Sequence, residues 1–302
     1  MKTEYLSAPD RLLESSAVAV GSFDGLHIGH MRVISELTSI ARGLGLPSVV
    51  FSFSPHPRSF FGRGVFQLLT TVSEKLEPLS LSGIDMAVFA NFDGAFAAQT
   101  AREFISAYLI GSLGMKALIV GTDHAFGKGR GGDIEALRAI ACDIGFELVV
   151  VEPVLVGDSP VSSTRIRELL LAGDIVSANA MLGRPYLLCG EVVSGAGRGR
   201  KLGFPTVNIR PPKDKLVPIN GVYRAVDSEG ICGLLYIGGA PTFGVREISA
   251  EFHGLDKPSV REGDGYCVSI LSRVRDEIRF DGADELVAQM IKDKAEIVSG
   301  KC

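Results

Sequence analysis

The periodicity of apolar residues changes once along this chain, and that change constrains the fold more than any other feature. Up to about residue 150, β-rich runs at 17–20, 48–53, 86–89, 117–120 and 147–151 alternate with helical patterns. Strands separated by helices pair in parallel, because each crossover returns the chain to the same end of the sheet. Between Gly29 and Gly43, Val33, Ile34, Leu37, Ile40 and Ala41 form one helical stripe. A further helical pattern from Thr164 to Met181 ends at Gly183-Arg184-Pro185, where glycine and proline together break a helix. Beyond it the period moves towards two, with strand-like runs at 186–193, 206–209, 222–226, 233–237 and 266–274 and turns at 218–221 and 227–230. Only 283–298 returns to an amphipathic helical pattern. The expected architecture is an α/β chain: a Rossmann-like, doubly wound domain over residues 1–183, then a small β-barrel over 184–302 closed by a C-terminal helix. A length of 302 residues is sufficient for two separate cores.

Charge narrows the function. Lysine plus arginine is 31 against 35 acidic residues, a net charge of −4, so no general field gathers nucleic acid or an anionic membrane. Any anionic ligand must be held by local groups. The N-terminus lacks an apolar signal core and no run of about 18 apolar residues follows, so neither export nor a membrane span is expected. The five cysteines, Cys142, Cys189, Cys232, Cys267 and Cys302, show no CxxC or Cys/His ligand spacing. Their odd number argues against a disulfide framework and predicts reduced packing thiols in a cytoplasmic protein. A monomer or weak oligomer is expected. Glycine is over-used at 36 residues, and 16 of these fall in 21–30, 121–132, 190–203 and 238–244. Glycine lets backbone approach a phosphate closely, so these segments are candidate nucleotide loops.

The first loop, GSFDGLHIGH at 21–30, follows a strand and opens a helix. A helix N-terminus at the carboxyl end of a parallel sheet binds phosphate, and His27 and His30 can donate to charge developing at phosphorus. The same decamer also reads as a tight turn with two surface histidines. Downstream, Val161-Ser162-Ser163-Thr164-Arg165-Ile166-Arg167 places hydroxyls and arginines at a helix start, where they either cap the helix or hold phosphate. In the second half, SGAGRGRKLGFPTVN at 194–208 is neither a Walker A loop nor a GxGxxG fingerprint. Its glycines with Arg198, Arg200 and Lys201 make a positively charged backbone nest. Thr206 and Asn208, two apart on a strand, share a face, and their oxygens suit Mg²⁺, although two polar residues on an outer strand face are the plainer reading.

HIGH followed by the Ser/Thr-Arg loop resembles the nucleotidylyltransferase superfamily. Taken in order, GSFDGLHIGH, FSFSPHP (51–57), VGTDHAFGKGRGGD (120–133), SSTRIRELL and GEVVSGAGRGRKLGFPTVNI (190–209) resemble the bacterial bifunctional riboflavin kinase and FAD synthetase family over nearly the whole length. The resemblance implies that the N-terminal domain adenylylates FMN to FAD with release of pyrophosphate, and that the riboflavin-kinase-type barrel phosphorylates riboflavin to FMN. Its small-molecule partners are riboflavin, FMN and ATP with Mg²⁺, with FMN and FAD as substrate and product, and neither nucleic acid nor membrane. It assigns catalysis to His27, His30, Arg167 and Glu251, the last in AEFHGLD as general base. ATP contacts fall to Gly21, Phe23, Asp24, Gly29, Ser162, Ser163 and Thr164 in the first domain, and to Gly195, Gly199, Lys201, Gly203, Thr206 and Asn208 in the barrel. Thr206 and Asn208 double as metal ligands, and Asp123, Phe126 and His56 face the flavin. The chain departs from the family pattern at Thr122 and His124, at Gly239-Ala240, and over 257–267. Two other readings are an adenylyl- or cytidylyltransferase with an unrelated barrel, opposed by PTVN and Glu251, and a flavin- or RNA-binding regulator, opposed by the charge and by the absence of tryptophan.

Overall fold

A computed structural model describes the chain except residues 63–65, 123–125, 128–130, 196–202, 243–244, 257, 259 and 300–302. It forms two compact units, Met1–Ser162 and Ser163–Cys302.

In the first unit, β1 (Lys2–Leu6) and β2 (Ser16–Val20) precede α1 (Ile28–Leu44), β3 (Ser48–Phe53), α2 (Pro57–Phe61) and α3 (Val72–Leu81). Next come β4 (Met86–Ala90), α4 (Gly94–Ala97), α5 (Ala101–Phe104) continuing as a π-helical segment Ile105–Ser112, and β5 (Met115–Gly121). The unit ends with α6 (Ile134–Ile144), β6 (Glu147–Val151) and the short β7 (Leu155–Val156) and β8 (Ser159–Pro160). The main sheet is parallel in the order β1-β4-β3-β2-β5-β6. The chain winds from β2 to one side and returns through β5 on the other, so the switch point, and the crevice where such sheets bind ligands, lies between β2 and β5. Helix α1 follows its sequence stripe, burying Ile34, Leu37 and Ala41 against one sheet face. The opposite face packs on Phe51, Phe53, Phe104 and Leu118, each side chain of this size contributing about 1.5–3 kcal/mol by leaving water. The sequence reading does not contain β1, whose LysThrGluTyrLeu pattern is too polar to stand out; it pairs with β4 as the sheet edge.

The second unit begins with α7 (Ser163–Ala172) and α8 (Ile175–Leu182), one expected helix divided at Gly173-Asp174. Strands β9 (Tyr186–Val193), β10 (Val207–Arg210), β11 (Gly221–Asp227), β12 (Cys232–Thr242), β13 (Val245–Gly254) and β14 (Gly265–Arg275) close a barrel in the order β10-β13-β12-β11-β14-β9. Helix α9 (Ala283–Ser299) follows. The sequence boundary at 183/184 put α7 and α8 with the first domain, whereas here α8 packs on β9 and β14. Asn179 fastens it, donating to the Ile270 and Leu271 carbonyls at 2.9 and 3.2 Å and accepting from the Tyr186 amide at 2.8 Å. Arg275 reaches α9 through a bidentate pair with Asp293 at 2.8–3.1 Å.

The cysteine expectation is corrected. Cys189 and Cys267 form a disulfide, and exposed Cys142 is the free cysteine among the described residues. Residues 78 apart in sequence meet because β9 and β14 pair with Cys267 directly opposite Cys189. Local Cys spacing carries no trace of a cross-strand register.

Candidate active sites

The loop from β2 to α1 lies at the switch point and is held in a demanding conformation. Phe23 and Leu26 have φ of 46° and 43°, values that cost bulky residues about 1–3 kcal/mol and persist only where the surroundings impose them. Here the surroundings are a buried polar clamp. The Asp24 carboxylate, 1% exposed, accepts from the Leu69 and Thr70 amides at 3.2 and 3.0 Å, and the Gly25 amide donates to Thr70 Oγ1 at 2.9 Å. Lys75 Nζ, on α3, donates to the Ser22 carbonyl at 2.7 Å. Asp24, expected at ATP, thus has its carboxylate engaged with the protein's own backbone, and Phe23 has its ring in the core.

Burial pushes the Lys75 ammonium down to about 8, against the opposing pull of Asp24. Between that value and 10.5, the folded chain has released a proton that the unfolded chain still holds, so this group makes stability rise with pH in that window. Urea unfolding should show wild type gaining on the order of 3 kcal/mol over Lys75→Met from pH 8 to 10.5. A difference that stays flat with pH would contradict the assignment.

His27 is the N-cap of α1, and its Nδ1 accepts from the His30 amide at 3.2 Å. A neutral His27 with Nδ1 accepting carries its proton on Nε2, where it can act as a donor. The two imidazoles stack with centroids 3.6 Å apart, and His30 also meets Phe23 edge-on at 5.4 Å. A Cβ on Gly29 would stand 3.2 Å from the His27 ring, close enough that the imidazole would have to shift by a few tenths of an ångström, so glycine here leaves the ring in place. The first turn therefore presents amides, dipole and imidazole together, a donor set suited to phosphate.

Ser162 ends the first unit, while Ser163, Thr164 and Arg167 fall in the first five residues of α7 in the second. His56 caps α2, accepting from the Arg58 amide at 3.0 Å, and stacks on Phe66 at 4.7 Å. Phe126 packs edge-on against Phe104 at 5.2 Å and bridges to Gly132. Asp123, Gly199 and Lys201 lie outside the described residues.

In the barrel, the structure brings Gly195, Thr206, Asn208 and Glu251 next to one another. Asn208 on β10 pairs directly with Glu251 on β13, and Thr206 Oγ1 donates to Glu251 Oε2 at 3.4 Å. Gly195 packs so closely that a Cβ there would lie 2.3 Å from the Asn208 amide nitrogen. Gly203 has φ of 85° in the exposed loop before β10. Hydroxyl and carboxamide oxygens beside a carboxylate are the hard donors that Mg²⁺ prefers. No group of three His, Cys, Asp or Glu side chains suited to a metal occurs among the described residues.

Sequence reasoning missed the supporting residues. His253 Nδ1 bonds the Pro205 carbonyl at 2.9 Å and so fixes the approach to Thr206. Tyr236 stands opposite Glu251 on β12, and its hydroxyl donates to Glu277. Burial and the Glu277 carboxylate push that phenol above its ordinary value, so it stays protonated. Lys75 did leave a signal: it lies on the apolar stripe of α3 with Val72 and Leu79, where a lysine needs a buried partner.

The family model for FAD synthetase matches residues 10–165, and that for riboflavin kinase matches 182–299. A bifunctional riboflavin kinase/FMN adenylyltransferase of Escherichia coli K12 is 36% identical over 93% of this chain and 91% of its own. The Bacillus subtilis protein of the same name is 33% identical over 99% and 98%. A crystal structure described as a macrolide-efflux protein from Streptococcus pneumoniae covers all of both chains at 29% identity with a TM-score of 0.89. No helix among the described residues is long and apolar enough to cross a membrane. The chain belongs to the bifunctional riboflavin kinase/FMN adenylyltransferase family.

Proposed function

We propose that this protein makes FMN from riboflavin at the barrel and FAD from FMN at the parallel sheet, using ATP in both steps. The observation that carries the reading is the convergence of Gly195, Thr206, Asn208 and Glu251 in a chain that also holds His27 and His30 at a sheet switch point. In the kinase step, Glu251 takes the proton of the terminal ribityl hydroxyl as its oxygen attacks the γ-phosphorus and ADP leaves. Thr206 and Asn208 would hold Mg²⁺ arriving with ATP, which supplies charge neutralisation on the phosphate oxygens. In the adenylylation step, a phosphate oxygen of FMN attacks the α-phosphorus in line and pyrophosphate leaves. His27 and His30 stabilise the developing charge, and Ser162, Ser163, Thr164 and Arg167 hold the triphosphate, an assignment that rests on motif order. Asp123, Phe126 and His56 are assigned to the flavin on the same ground, and Gly199 and Lys201 to the ATP of the kinase step.

Incubation with riboflavin, ATP and Mg²⁺, followed by chromatography of the flavins, tests both halves. FMN and FAD should appear in succession; FMN alone removes the adenylyl half, and no product removes the enzyme reading. A sharper result is expected from Gly195→Ala. Its methyl group must displace the Asn208 carboxamide, and a misplacement of this kind costs about a hundredfold in kcat/KM of FMN formation. FAD formation from supplied FMN should be unchanged, and an unaffected kinase would show that Asn208 does not contact the nucleotide.

A further inference from the structure

The phosphate-donor side of the kinase site defines where the acceptor must lie. Gly195, Thr206 and Asn208 all stand on the β10 side of Glu251. On its other side Glu251 faces Tyr236 of β12. Directly opposed residues of antiparallel strands point to the same face, about 4.5–5.5 Å apart at Cβ. Asn208, Glu251 and Tyr236 therefore stand in one row on the outside of the barrel, while Leu235, Ile237 and Phe252 fill its inside with no exposure. The row continues through Val222 of β11 to Arg275 of β14, whose guanidinium is committed to Asp293.

Phosphoryl transfer in line places the attacking hydroxyl at Glu251 opposite the leaving group. With the β10 side given to phosphates, the chain behind that hydroxyl runs over the β12 side. There the half-buried Tyr236 hydroxyl donates to Glu277 Oε1, and Glu277 Oε2 accepts from Asn220 Nδ2 at 3.2 Å. A phenol that donates to a carboxylate keeps its oxygen lone pair for a donor from the ligand, and the carboxylate keeps further acceptor sites. That pattern complements a polyol, each hydroxyl of which can donate to one such oxygen.

We propose that Tyr236, oriented by Glu277 and Asn220, is the acceptor-side residue that binds the inner hydroxyls of the ribityl chain and so selects a sugar-alcohol flavin over an alkyl one. The proposal rests on the kinase reading above. A site built to hydrogen-bond a substrate hydroxyl rejects the analogue that lacks it, because its own polar groups are then left unpaired.

The test measures FMN formation by wild type, Tyr236→Phe and Glu277→Gln. The substrates are riboflavin and a flavin with a hydroxypentyl chain, which keeps the terminal hydroxyl and lacks the inner ones. The analogue is read as a substrate or, if not turned over, as a competitive inhibitor. Tyr236→Phe should lower kcat/KM for riboflavin about tenfold through KM, leaving the KM for ATP and the constant for the analogue unchanged. Glu277→Gln should do the same more weakly. FAD formation from supplied FMN reports that each variant is folded. Equal losses for both flavins, no loss for either, or a change in the KM for ATP would overturn the assignment. A wild type that forms no FMN would instead overturn the kinase reading, and this proposal with it.

Discussion

His30→Ala should lower FAD formation from FMN by at least about a hundredfold, the cost of removing one donor to transition-state charge, while FMN formation from riboflavin stays at the wild-type rate. The geometry makes this a test of chemistry rather than of folding. The cap of α1 runs from the His30 backbone amide to the His27 ring, so truncating the His30 side chain leaves the cap in place. What is lost is an imidazole stacked on His27 and edge-on to Phe23. His27 plays two roles and calls for a different substitution. His27→Ala removes the cap as well, at about 1 kcal/mol, whereas asparagine is among the best N-caps. His27→Asn should therefore keep the thermal midpoint of wild type and still lose FAD formation by a similar factor. If His30→Ala retains FAD formation, or if both activities fall together, the assignment of the two reactions to separate loops is wrong.

Much of this was legible in the sequence, for reasons that differ between residues. The strand-to-helix loop was legible because a β-rich run ending directly in GSFDGLHIGH reads as a helix start at the carboxyl end of a strand. The barrel was legible from its period of two and its turn residues. Residues whose role depends on register were not. Nothing in the spacing of Tyr236, Glu251 and Asn208 says they stand side by side, because that depends on how β12, β13 and β10 align. The Cys189–Cys267 bond is hidden for the same reason. Asp24 shows a different limit. An acidic residue in a nucleotide loop invites a ligand role, and no local spacing shows that its carboxylate also accepts from the backbone amides of Leu69 and Thr70, about 45 residues away. Its contribution is to hold Phe23 and Leu26 in left-handed conformations that place His27 at the start of α1.

Glu251→Gln should abolish most FMN formation, by about 10²–10⁴-fold in kcat, the usual range for loss of a general base. The substitution keeps the volume of the side chain and an oxygen able to accept from Thr206, so the row on the barrel face is retained. Only the capacity to take a proton goes. Riboflavin and ATP should still bind with near wild-type KM, since neither the Gly195 cradle against Asn208 nor the Tyr236–Glu277 pair is touched. With FMN supplied, FAD should form at the normal rate. This is the reverse of His30→Ala, and the two variants mixed should together convert riboflavin to FAD, since FMN released by one is substrate for the other. A Glu251→Gln protein that retains kcat but loses affinity for ATP would show instead that the carboxylate serves the nucleotide as a ligand and that the proton leaves by another path.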